Sequence, residues 1–176
     1  MDRSVRRIVT GTNGDGRETI VSDMRIAPET IALMPGAAFL DIWGGDAAPA
    51  LPNDGSEPPH RTGFPPPGGF RVQMTTIPPA GPPPADMAAA IEEANAKLPG
   101  LLDHLDPDHP GMHRTDTVDV VQVISGRCVL LLSSGARTEL GPGDIVVQNG
   151  TRHAWQVPDD APCTVLSISL GVPRAA

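Results

Sequence analysis

The closing stretch of the chain, from Gly111 to the end, constrains its fold most. It runs MHRTDTVDVVQVIS, GRCVLLLSS, ARTELG, DIVVQ, HAWQV and CTVLSISLGV, segments rich in Val, Ile, Leu and Thr. Gly126, Gly135, Gly141, Gly143 and Gly150 stand at the corners between them. Short β segments at this spacing, broken by turn formers, predict an all-β fold, a small antiparallel barrel or jelly roll.

Upstream the texture is looser. RRIVT and ETIVSDMR flank the turn-forming TNGDG, so residues 6–24 read as a β-hairpin. AFLDIW (38–43) is a further strand, and residues 44–69 form a Pro- and Gly-rich loop. Strand character returns at 70–77, where Phe70, Val72 and Met74 share one side and Arg71 and Gln73 the other. After a second proline cluster comes the one helical pattern, with Met87, Ala90, Ile91, Ala94 and Leu98 in a stripe that Pro99-Gly100 ends. The expected organisation is an N-terminal extension over 1–69 packed on a barrel over 70–176. The hairpin is expected to add its strands to that barrel or to a neighbouring subunit's, since its open edges need cover.

Composition narrows the partners. With 176 residues the chain can bury a core without staples, and Gly and Pro together make 40 of them, which suits short strands joined by many turns. A net charge of -8 argues against nucleic acid or an anionic membrane as partner, because both require a positive face. MDRSVRRIVT lacks the apolar stretch of a secretory signal, and the run from Cys128 to Leu132 is too short to span a bilayer. The two cysteines sit in strand-like segments, where reduced, buried thiols are the rule, and a cytosolic protein is expected.

The chemistry is concentrated at two places. In an extended strand His113, Thr115, Thr117, Asp119, Val121 and Val123 point one way, and the apolar end of that set marks the barrel interior. Farther on, the Asn149-Gly150-Thr151 turn leads into His153, Trp155 and Val157, again on one face. Two imidazoles and a carboxylate meeting inside a barrel match the two-histidine, one-carboxylate arrangement of open metal sites. His113, Asp119 and His153 are thus the expected ligands of one divalent ion, Fe(II), Zn, Ni or Mn.

These stretches resemble the two motifs of the cupin superfamily. The first motif, Gly, His-x-His, Glu, Gly, is matched by Gly111, His113, Asp119 and Gly126; the second by Gly143, Gly150 and His153, preceded by Leu-Gly-Pro-Gly-Asp at 140–144. The chain departs where it has Thr115 for the second histidine, Asp119 for the glutamate and Asn149 for the proline. A threonine hydroxyl is a poor ligand, so a water, His109 or Asp116 is left to fill that place. The resemblance implies a double-stranded β-helix, or jelly-roll, barrel and a homodimer. More narrowly, HRTDTVD and VVQNGTRHAW look like stand-alone cupins of polyketide and aromatic-compound pathways.

The function this implies is metal-dependent chemistry on a small organic substrate, of oxygenase or lyase type (decarboxylase, dehydratase or cyclase). Arg114, Asp116 and His109 would serve in proton transfer or orientation. Thr115, Trp155 and Arg152 would contact substrate. The alternatives are a ligand-binding cupin with a structural metal or none, and an isomerase-type cupin using a His–Asp pair.

Overall fold

The computed structural model of the chain describes residues 4–158 and 160–175. In chain order the strands are β1 (Val5–Thr12), β2 (Glu18–Ile26), β3 (Ala38–Gly45), β4 (Phe70–Ile77), β5 (Thr117–Ser125), β6 (Cys128–Leu132), β7 (Arg137–Leu140), β8 (Ile145–Asn149), β9 (His153–Gln156) and β10 (Cys163–Gly171). One helix, α1 (Met87–Lys97), and a single 3-10 turn at Leu102–His104 lie between β4 and β5.

The pairing defines the architecture. One sheet has the order β3-β4-β10-β5-β8 and a second has β7-β6-β9, with every pairing antiparallel. His113 makes an isolated bridge to His153, so the segment before β5 extends the second sheet beyond β9. The strand order β4-β10-β5-β8 facing a (Met112–His113)-β9-β6-β7 order is that of two nested Greek keys, a jelly roll. The two sheets meet in one core, where Val121, Val123, Cys163 and Val165 of the first pack with Cys128, Leu130 and Leu140 of the second. The fold is thus the all-β barrel expected from the strand rhythm. Among the described residues no helix is long and apolar enough to cross a membrane.

Local chemistry explains the corners. Gly126, at φ 76, turns the chain from β5 into β6 with its Cα against the backbone of Pro162 and Cys163, where a Cβ has no room. Gly150, at φ 57, turns it from β8 toward β9 and so delivers His153 to the barrel.

Three sequence expectations are altered by the tertiary structure. The hairpin β1-β2 forms a sheet of its own and does not pair with the barrel strands of its own chain. It is held instead by hydrogen bonds from Arg7 to the Ile42 carbonyl (3.0 Å) and Glu57 (2.9 Å), and from the Thr12 amide to the Asn53 carbonyl (2.7 Å). Next, α1 buries only Ala90 and Ala94, while Met87 and Ile91 of the predicted stripe stay 43% and 40% exposed. Small side chains bring the helix close to the segment before β3, and polar clamps fix it there. Glu93 accepts from the Ala32 amide (2.7 Å) and Lys97 donates to the Thr30 carbonyl (2.8 Å). Finally, the alternation of β4 holds, but its polar side faces inward, with Arg71 fully buried.

Cys128 and Cys163 are free, fully buried thiols close enough to hydrogen-bond to each other. Burial pushes the Cys128 thiol up to about 12 and raises that of Cys163. The thiolate is the reactive species, so neither should react with iodoacetamide at pH 8 while the chain is folded. Both should be alkylated in denaturant, as intact-mass spectrometry would show. Alkylation of the folded protein at the rate of the unfolded one would contradict this burial.

Candidate functional site

The site is built on one backbone pairing. The amides and carbonyls of His113 and His153 exchange hydrogen bonds of 2.8 and 3.0 Å. Residues paired in this way present their side chains side by side on one face, and the two imidazole centroids lie 4.2 Å apart with a 53° tilt. Each ring is oriented by the chain just before it: His113 Nδ1 donates to the Gly111 carbonyl (3.0 Å) and His153 Nδ1 to the Thr151 carbonyl (2.9 Å). A carbonyl only accepts, so Nδ1 carries the proton and each Nε2 keeps its lone pair free.

Burial keeps both rings neutral. His153 is 4% exposed and is pushed down to about 4, first by burial and then by the neighbouring His113, against the bond to Thr151. His113 is lowered by burial and His104, against its bond to Gly111 and the attraction of Asp119. Trp155 stands edge-on to His153 at 5.7 Å and closes that side.

Asp119 projects into the barrel from β5, 8% exposed, with Ser169 of β10 and Gln148 of β8 as its register partners. Burial raises its carboxyl, while hydrogen bonds from Ser169 and Thr117 and the nearby His113 pull it back. Its Oδ1 is buried without a hydrogen-bond partner. Thr115 is buried and its hydroxyl is bonded to Thr117 (2.7 Å). Gln148 donates to the Thr151 hydroxyl (2.7 Å) and so steadies the turn before His153.

The remaining sequence candidates are placed outside this interior. Arg114 is exposed. Asp116 is exposed and accepts from Arg174 Nε at 2.5 Å. The His109 side chain is 70% exposed and 3.4 Å from Asp106, and Arg152, 47% exposed, is ion-paired with the same carboxylate. Neither His109 nor Asp116 occupies the place of the missing second histidine.

Other neighbours of the candidate site come together only in the tertiary structure. His104 donates from Nδ1 to the Arg114 carbonyl (3.2 Å) and stacks edge-on with Phe64 at 4.7 Å, fastening the loop beside His113. Arg174 ties the C-terminal segment to the carbonyls of Thr115 (3.1 Å) and Gly150 (3.4 Å). Ser169 and Gln148 meet Asp119 only through strand pairing, and a single strand's parity carries no signal of that. Thr117 alone was visible, from its parity with Asp119.

The donor chemistry suits a divalent ion: two neutral imidazoles with free Nε2 atoms and a buried carboxylate oxygen without a partner. Among the described residues, no three His, Cys, Asp or Glu side chains stand close enough together to hold one as placed.

Fold and site together define a jelly-roll barrel with paired imidazoles in its interior. No family model matches the chain. Similar solved structures include cupins. They include a cupin 2 conserved barrel domain protein from Salinispora arenicola CNS-205 (16% identity, TM-score 0.42, covering 85% of this chain and 90% of that one). Another is the polyketide cyclase RemF from Streptomyces resistomycificus (15%, 0.43, 77% and 65%). In sequence the chain is similar to phomopsin biosynthesis cluster protein C' of Diaporthe leptostromiformis, 44% identical over 45 residues, 26% of this chain and 24% of that protein. It is also similar to oryzines biosynthesis cluster protein J of Aspergillus oryzae, 43% identical over 54 residues, 28% of this chain and 30% of that protein. The matches thus span less than a third of these curated relatives.

Proposed function

We propose that the chain is a cupin enzyme that uses one divalent metal ion to transform a small organic molecule. The observation that carries this reading is the imidazole pair, with centroids 4.2 Å apart and both Nδ1 atoms committed to backbone carbonyls. Surface histidines have no need of such double orientation, whereas metal-binding histidines are routinely held this way. His113 and His153 would hold the ion through Nε2, with Asp119 as the third ligand. When bound, the ion would act as a Lewis acid on a substrate oxygen or serve an oxygenase reaction. Thr115, in place of a third imidazole, would leave the coordination sphere open for substrate.

The protein's own contributions are orientation and exclusion of water. Trp155 would form one wall, and the raised carboxyl of Asp119 would accept or return a proton when it is not bound to the ion. The biosynthesis-cluster names of the short sequence relatives support a step in the biosynthesis of a metabolite. The mutual bond of Thr115 and Thr117, with no three ligand side chains drawn close together among the described residues, favours a second reading, a metal-free ligand-binding barrel.

Metal analysis of chain purified without chelator separates the two. One equivalent of Fe, Zn, Ni or Mn, lost in both His113→Ala and His153→Ala, supports the enzyme reading. Metal-free wild-type protein that takes up none of these ions excludes it.

A further inference from the structure

We infer that Gln148 of β8 is a further ligand of the ion proposed above, its side-chain oxygen Oε1 standing in for the histidine that Thr115 replaces; the inference rests on the metal reading. Parity and register put Gln148 at the site. Val146 and Gln148 are the inward residues of β8, and Gln148 is 4% exposed. It pairs directly with Asp119, as His113 pairs with His153. Four side chains with lone pairs thus reach the interior as two cross-strand pairs. The Asp119 carboxylate is near enough to His113 to attract its ring.

The amide is oriented as a ligand's would be. Nε2 donates to the Thr151 hydroxyl (2.7 Å), with the Thr151 carbonyl 3.5 Å away. A carbonyl only accepts, so the amide nitrogen lies on that side and Oε1 is turned away from it. The same Thr151 carbonyl accepts from His153 Nδ1 at 2.9 Å. One residue therefore fixes two donors, leaving Nε2 of His153 and Oε1 of Gln148 to the interior, as the outer partners of metal ligands commonly do.

The second observation is a buried charge without a partner. Asp119 is 8% exposed and its Oδ1 has no hydrogen-bond partner. The row across the sheet runs Arg71, Ser169, Asp119, Gln148. The guanidinium of Arg71, however, is committed to Thr62, Gly45, Phe70 and Asp46. Buried charges are paired or coordinate metals. An amide N–H turned toward Asp119 would satisfy Oδ1, yet Gln148 commits its N–H to Thr151, so Oδ1 is left to a cation. Four protein donors still leave positions for substrate on an ion that accepts about six.

Calorimetric titration of the full chain with Mn(II) and Zn(II), and visible spectroscopy with Co(II) as the probe, test the role. Gln148→Leu is expected to weaken both metals by at least about 10-fold and to change the Co(II) bands, because a bonded oxygen is lost. Its far-ultraviolet circular dichroism should match wild type. Thr151→Val removes the hydroxyl that orients the amide but no donor atom, so it should weaken binding less and keep the Co(II) bands. Wild-type affinity and bands in Gln148→Leu overturn the inference. So do equal losses in Gln148→Leu and Thr151→Val with unchanged bands, which would make Gln148 a support of the turn alone. If Gln148→Leu does not fold, Gln148→Glu carries the test. An ionised oxygen on the ion should tighten Mn(II) by at least about 10-fold, and unchanged or weaker affinity overturns the inference. Wild-type chain that takes up none of the three ions overturns it together with the metal reading, whereas every other adverse result leaves that reading standing.

Discussion

Replacing Arg71 with alanine should cost about 3–5 kcal/mol of folding stability, the range seen when one partner of a buried charged network is removed. Arg71 is 0% exposed, on the inward side of β4. Its Nε donates to the Thr62 carbonyl (2.9 Å), Nη1 to the carbonyls of Gly45 and Phe70 (both 2.8 Å), and Nη2 to Asp46 (2.6 Å). One side chain thus satisfies three backbone acceptors and a carboxylate and binds the Pro- and Gly-rich loop to the barrel. Gly44 leaves it space, since a Cβ there would sit 2.8 Å from Arg71 Cδ. Truncation strands the three carbonyls, that of Gly45 in a buried bond, and unpairs Asp46, whose side chain keeps 34% exposure and can rehydrate. For a chain of this length the loss corresponds to a fall in Tm of roughly 6–20 °C. Lysine should recover only a fraction, because a compact ammonium cannot match the planar fork of a guanidinium. Urea unfolding of wild type, Arg71→Ala and Arg71→Lys measures it. A loss below about 1 kcal/mol for the alanine variant would mean that the loop is anchored by other contacts.

The second large effect concerns the imidazole pair. A divalent ion at about a hundredfold excess over its dissociation constant should stabilise the folded chain by about 2.7 kcal/mol. In a domain of this size that amounts to a rise in Tm of roughly 5–11 °C. His113 and His153 are already neutral and turned with Nε2 free, so at neutral pH the ion displaces no proton from them. In His113→Ala and His153→Ala the metal-induced shift should vanish, whatever the Tm of each variant without metal. Comparing shifts rather than absolute Tm values separates loss of a ligand from loss of packing. If Fe(II), Zn, Ni and Mn all leave the wild-type Tm unmoved, the metal reading fails and the ligand-binding barrel takes its place.

Much of this molecule was legible in the primary structure, for identifiable reasons. Alternation along 117–125 exposed the inward set Thr117, Asp119, Val121 and Val123, because side-chain direction in a strand is set by parity alone. Turn residues marked the corners at Gly126 and Gly150, because the positive φ at each favours glycine. Motif position and shared face mark His113 and His153 as a pair, and a single antiparallel bridge brings them together.

Other features depend on pairing between distant segments, and no local pattern records them. Which side of β4 is inside was decided by Thr62, Gly45 and Asp46, whose oxygens make the interior the better place for a guanidinium. The helix packs on its alanines, leaving its larger apolar residues outside, because Glu93 and Lys97 clamp it to a segment some sixty residues earlier. Ser169 and Gln148 flank Asp119 only by register. The sequence by itself determined an antiparallel barrel and the residues able to carry its chemistry, since periodicity and turn chemistry are properties of neighbours along the chain. Tertiary structure alone decided which polar groups are buried together and which candidates stay in solvent, since each depends on what the rest of the chain packs against it.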